Sequence, residues 1–186
     1  MIHEPVPITL YASPQLQGIY SGSFSSDGTL VLTSSCDGSV RVWKAGVVKP
    51  RSINAAHSGC VYAAAFSPSG RLATAGWDRT AKIWDLHSGR CLHVLRDHMG
   101  PVYSVCFSPE GSNVLTAGKD GTAKIWSAAG ELTLTLKGHD APVKCAIFSH
   151  AWSQVAKFPH VAGNCLDSAE NDDCLRLRFG SSLLTT

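Results

Sequence analysis

"FSPSGRLATAGWDRTAKIWD" at residues 66–85 and "FSPEGSNVLTAGKDGTAKIWS" at 107–127 are one pattern written twice, and "FSSDGTLVLTSSCDGSVRVWK" at 24–44 is a third copy. The landmarks keep step. Phe recurs at 24, 66, 107 and 148, His at 57, 98 and 139, Asp at 37, 78 and 120, and Trp at 43, 84 and 126, always 41 or 42 residues apart. Repetition at a fixed period of this size marks an array of supersecondary units, each burying its apolar faces against its neighbours.

Within a unit the local signals are strands and turns. "VYAAAF" (61–66), "VYSVCF" (102–107) and "VKCAIF" (143–148) are apolar runs of the kind found in strands covered on both faces, and the first two lead into Ser-Pro-x-Gly turns. The next run, such as "SNVLTAG" (112–118), stops at Asp-Gly or Asp-Arg, and Asp-Gly favours a tight hairpin. "TAKIW" then alternates, and "RCLHVL" (90–95) or "ELTLTL" (131–136) follows a Gly-containing turn. Four antiparallel strands per unit make one blade of a β-propeller, so the expected fold is all-β, with about four blades in an incomplete or open propeller.

Bulk composition narrows the class. With 186 residues, 44% apolar and 16% charged, the chain has material for a buried core. A net charge of +2 with scattered Lys and Arg does not supply the basic stripe that a nucleic-acid backbone requires. Cys36, Cys60, Cys91, Cys106, Cys145, Cys165 and Cys174 are odd in number with no close pairs, and several lie in apolar runs, which suggests a reducing compartment. The segment "MIHEPVPITLYASPQ" has an acidic residue and three prolines where a signal peptide has a basic cap and an unbroken apolar run, and 18 apolar residues never run together. The expectation is a soluble intracellular protein, cytoplasmic or nuclear, with no membrane partner.

The chain resembles the WD-repeat propellers. That family's pattern of a Gly-His-like dipeptide, a run ending in Asp, and Trp-Asp is matched by Asp97-His98 and Gly138-His139, by Asp37, Asp78 and Asp120, and by Trp84-Asp85. The resemblance divides the chain into repeats at 16–56, 57–97 and 98–138, preceded at 1–15 by an outer strand, "PITLYASPQ", in the frame of "ELTLTLKGH" (131–139). A degenerate fourth unit at 139–186 follows, where "DSAENDDCLRLRF" (167–179) aligns with "LTAGKDGTAKIW" and places Ser168 on Thr116, Asp172 on Asp120 and Arg178 on Trp126. This alignment needs about eleven inserted residues within 150–165. The other reading is an unrelated tail.

His57, Thr74, Asp78 and Trp84 recur as His98, Thr116, Asp120 and Trp126. Thr, His and Asp together suggest a nucleophilic triad, but a set repeated in every blade is what structure requires and not what one active site requires. In the resembled family these four residues form a buried hydrogen-bonded chain that satisfies polar groups lost to solvent. The end units depart from it: Gln15 stands in the His frame of the first, and Arg178 in the Trp frame of the fourth. "GKDGT" (118–122) lacks the spacing and the Ser or Thr of a phosphate loop, and His87, Cys91, His93 and His98 spread over a strand pair, so no cofactor and no metal are expected.

What remains is binding. In the resembled family the second residue of each first strand, here Tyr20, Tyr62, Tyr103 and Lys144, lies near the mouth of the central channel, beside the residue before the turn Asp: Cys36, Trp77, Lys119 and Asn171. These positions make an aromatic rim suited to a partner's Arg or Lys side chain. The alternative is that the tyrosines pack between blades. The resemblance implies a non-catalytic scaffold for peptides or partner proteins, and the alternative is a propeller fragment completed by self-association or another chain. The family also includes substrate receptors of ubiquitin ligases, which often carry Trp-Asp-x-Arg. Here that stretch reads Trp84-Asp85-Leu86-His87, without the Arg.

Overall fold

The computed structural model describes residues 18–148 and the backbone of 175–176. Three sheets of four antiparallel strands follow one another. The first holds β1 (Ile19–Phe24), β2 (Leu30–Ser35), β3 (Val40–Lys44) and β4 (Arg51–Ile53) in sequential order. The second holds β5 (Val61–Phe66), β6 (Arg71–Gly76), β7 (Thr80–Asp85) and β8 (Cys91–Arg96), and the third β9 (Val102–Phe107), β10 (Asn113–Gly118), β11 (Ala123–Ser127) and β12 (Leu132–Leu136). No helix occurs among the described residues.

The central strands β6 and β10 are buried along nearly their whole length, which explains why "LATAG" and "VLTAG" run apolar without alternation. The outer strands β8 and β12 are largely exposed and carry Thr, His and Arg. Ser67 N–H donates to Arg71 O (2.9 Å) across one Ser-Pro turn, and Ser108 N–H to Asn113 O (2.9 Å) across the other, so each innermost strand turns back onto the next.

The cores lie between blades. Leu32, Val40 and Val42 of the first sheet meet Val61, Leu72 and Trp84 of the second. Ala73, Ile83 and Leu95 of the second meet Val102, Phe107, Val114 and Trp126 of the third. Trp84 and Trp126 therefore each pack backward onto the preceding blade. Leu115, Ala117 and Ile125 of the third sheet are covered by Val143, Ala146 and Phe148, the start of the fourth unit. The described sheets do not close into a ring and form a partial propeller.

The fourth unit differs from the sequence alignment. Strand β13 (Ala146–Ile147) pairs directly and in parallel with β14 (Leu175–Arg176). The alignment makes 175–176 a third strand, which runs parallel to the first but has a second strand between them. The direction agrees and the adjacency does not. The frames of Gln15, Ser168, Asn171, Asp172 and Arg178, and the outer strand read at "PITLYASPQ", fall outside the described residues. One juxtaposition concerns the cysteines: Cys36 and Cys60, 24 residues apart, bring their sulfurs together where the first two blades meet. The hydrogen bond from Cys36 N–H to Gly18 O (3.0 Å) anchors the end of β2 beside β1, where the lead-in to β5 arrives from the next blade. That juxtaposition is tertiary, while Cys91, Cys106 and Cys145 are free thiols.

Candidate functional site

Each complete repeat beyond the first holds a buried polar chain. His57 Nδ1 is 2.8 Å from Asp78 Oδ1, and His57 Nε2 is 2.7 Å from Thr74 Oγ1, which also accepts the Trp84 indole N–H at 2.9 Å. The next blade repeats this: His98 Nδ1 to Asp120 Oδ2 at 2.9 Å, His98 Nε2 to Thr116 Oγ1 at 2.8 Å, and Trp126 Nε1 to Thr116 Oγ1 at 2.9 Å. In the neutral tautomer that carries its proton on Nδ1, that N–H donates to the carboxylate and Nε2 accepts from the Thr hydroxyl, which accepts from Trp. The polarity of that tautomer runs one way, Trp to Thr to His to Asp.

Electrostatics agree. Burial pushes both imidazoles below the ordinary histidine value, and the facing carboxylates pull them only part of the way back. For Asp78 burial acts upward, but hydrogen bonds from Thr80, His57 and the Ser58 N–H outweigh it and hold the carboxyl below its ordinary value. Asp120 has the same balance, with the Met99 N–H and Thr122 as donors. Thr74 and Thr116 are fully buried, so no electrophile can reach either hydroxyl, and the chain cannot work as a triad. Of the four residues considered as metal ligands, His98 is committed to this network, while Cys91 and His87 are exposed.

At the same end of each blade sits the rim. Trp77 N–H donates to Cys60 O (2.9 Å) and Lys119 N–H to Pro101 O (2.8 Å), which sets each residue before a turn Asp beside the lead-in to its own blade's first strand. The tyrosines are placed by a device that the sequence does not advertise. Pairing skips from Ile19 to Ser21, from Val61 to Ala63 and from Val102 to Ser104, so Tyr20, Tyr62 and Tyr103 are each the extra residue of a β-bulge. A bulge re-aims its side chain. The three rings stack edge to face, with centroids 5.0 Å apart for Tyr20 and Tyr62 and 5.2 Å for Tyr62 and Tyr103.

The tyrosines thus pack against one another from blade to blade and also line a cavity of about 410 Å³ with Pro142 and Lys144. Tyr20 is 54% exposed, while Tyr62 and Tyr103 are half-buried. A second cavity, of about 450 Å³, is lined by Ser58, Trp77, Asp78, Arg79, Pro101 and Lys119. Sequence reasoning missed Arg79, although the departure from Asp-Gly to Asp-Arg was visible.

Four-stranded antiparallel sheets joined in sequence, the second and third each with a Trp–Thr–His–Asp chain bridging to the loop before it, define WD-type propeller blades. The chain belongs to the WD40 family: the family model for "WD domain, G-beta repeat" matches residues 8–44, 49–85 and 89–127. Among curated proteins it is similar to protein tipD of Dictyostelium discoideum, 33% identical over 121 residues, covering 64% of this chain and 20% of that protein. It is also similar to the ribosome biogenesis protein YTM1 of Chaetomium thermophilum, 34% identical over 110 residues and covering 53% and 22%. The fold matches the solved WD40 repeats of RRP9 with a TM-score of 0.66 at 22% identity, covering 70% of this chain and 42% of that one. The chain spans about a fifth of the length of these curated relatives.

Proposed function

We propose that this chain is a non-catalytic protein-interaction scaffold that holds peptides or partner proteins on the face carrying the tyrosine ladder and Trp77. The observation behind this reading is the set of aromatic side chains placed on bulges at one end of three successive blades, with Trp77 55% exposed beside them. Tyr and Trp combine large contact area with a polar tip, and such residues dominate binding energy at protein interfaces. The participating residues are Tyr20, Tyr62, Tyr103, Lys144, Trp77 and Lys119. Nucleic acid and membrane are not the proposed partners, and the compartment proposed is the cytoplasm or the nucleus.

The test is affinity capture from cells with the wild-type chain and with Trp77→Ala and Tyr103→Ala. We expect each variant to keep its fold and lose captured protein. If both bind as the wild type does, the rim is not the site. A second reading has one supporting observation: on β1, Ile19 and Phe24 expose apolar surface on the flank of the first blade. That flank suits a further blade, supplied by another chain or another copy, and analytical ultracentrifugation of the purified chain checks it. A monodisperse monomer would contradict self-association.

A further inference from the structure

The turns before the third strand of each blade are Asp37-Gly38, Asp78-Arg79 and Asp120-Gly121. All three second residues lie at positive φ: +80° at Gly38, +65° at Arg79 and +73° at Gly121. Glycine occupies that region freely, whereas a side chain there is held against its own backbone preference. The second blade therefore keeps a guanidinium where the same backbone in its neighbours carries no side chain.

The surroundings give that guanidinium a use. Arg79 lines the 450 Å³ cavity together with Trp77 of its own turn and Lys119 of the next blade. Both of these rim residues are seated on glycines. A Cβ at Gly59, itself at φ +118°, would come within 3.1 Å of the Trp77 ring, and a Cβ at Gly100 within 3.0 Å of Lys119 Cβ. These glycines stand two residues after His57 and His98, so the buried network also fixes the rim. Asp78, the cavity's one carboxylate, is occupied by His57, Thr80 and the Ser58 N–H. Neither Arg79 nor Lys119 forms an ion pair with a described residue.

We propose that this cavity binds an acidic segment of a partner protein, with carboxylates against Arg79 and Lys119 and an apolar side chain laid on the exposed Trp77 indole. Charge complementarity selects this occupant: two cations with no ion pair among the described residues, one carboxylate already spent, and an apolar platform held in place. The proposal rests on the reading of this face as the binding face and adds the chemistry of its ligand.

The experiment is a fluorescence-anisotropy titration of the full chain with a labelled peptide in which one Phe is flanked by Glu and Asp. The control peptide has Lys in place of every acidic residue. We expect the acidic peptide to bind, the Lys peptide to bind at least about tenfold more weakly, and added salt to weaken the acidic complex. Arg79→Gly should weaken acidic-peptide binding about tenfold while raising the melting temperature, because glycine relieves the backbone; Arg79→Lys should fall between. Equal binding of the acidic peptide to wild type and Arg79→Gly would overturn the inference, as would tighter binding of the Lys peptide, displacement by an equimolar oligonucleotide, or no binding of either peptide. Capture with Trp77→Ala and Tyr103→Ala judges the face itself, so a failure of the anion site and a failure of the face read differently.

Discussion

The first and second blades share their strand order and three of four signature residues, yet they are finished differently. In the second, Thr74 links Trp84 to His57, and His57 reaches Asp78, so the polar chain ties β6 and β7 to the loop arriving from the first blade. In the first, Trp43 donates to Thr33 at 2.9 Å and no imidazole completes the chain among the described residues. Asp37 keeps the turn contacts to Ser39 and, more distantly, Arg41 that Asp78 makes to Thr80 and Lys82. The apolar side tells the same story: Phe24 is 73% exposed, while its counterpart Phe107 is 9% exposed under the second blade. The comparison teaches that a blade's own sheet is legible and self-consistent, but its stability is conferred by the neighbour that brings the His loop and covers the inner face.

The largest expected contrast lies with the aromatic residues. Trp84→Ala removes a buried ring between two blades and a donor to Thr74, at a cost of about 3–5 kcal/mol. Phe107→Ala should cost about 3 kcal/mol and Phe24→Ala less than about 1, measured by denaturant titration; equal costs would break the comparison. The polar chain gives a smaller contrast. Thr74→Val leaves His57 Nε2 and the Trp84 N–H without a partner and should cost about 2 kcal/mol, against about 1 for Thr33→Val, which among the described residues orphans the Trp43 N–H alone.

A smaller effect should follow pH. Because burial depresses His57 and His98 below their ordinary value near 6.5, the unfolded chain binds more protons than the folded one in the window beneath it. The stability contributed by the neutral imidazoles is complete above that value and is lost as pH falls through the folded one. Asp78 and Asp120, depressed below 3.8, act with the same sign at lower pH. Melting should therefore drop by a few degrees between about pH 7.5 and about pH 5, and His57→Gln should flatten the dependence. A melting temperature independent of pH would mean that the imidazoles are not held neutral.

Much of this was readable in the chain because its determinants are local and repeated. "VYAAAF" became β5 and "VYSVCF" became β9, since apolar runs bounded by Ser-Pro-x-Gly leave the backbone little choice. What escaped reading depends on geometry between segments. Nothing in "VYA" or "VYS" announces a bulge, which is a property of pairing with β6 or β10, yet the bulges decide where Tyr62 and Tyr103 point. The meeting of Cys36 with Cys60 and the seating of Trp77 on Gly59 likewise need two blades in contact. The fourth unit resisted because one strand is a weak signal without its in-phase partners, and its short parallel pair follows no repeat.

Two adjacent residues offer the most direct test of the account, in which the buried chain holds the blades and the rim binds. Asp78 closes the network and Trp77 stands exposed on the rim, one position apart. Thermal melting and partner capture should be measured on Asp78→Ala and Trp77→Ala side by side. The account predicts that Asp78→Ala destabilises by several times the ~1 kcal/mol of an average substitution, while Trp77→Ala melts within a degree or so of the wild type and loses captured protein. Wild-type stability in Asp78→Ala together with undiminished capture by Trp77→Ala would contradict it.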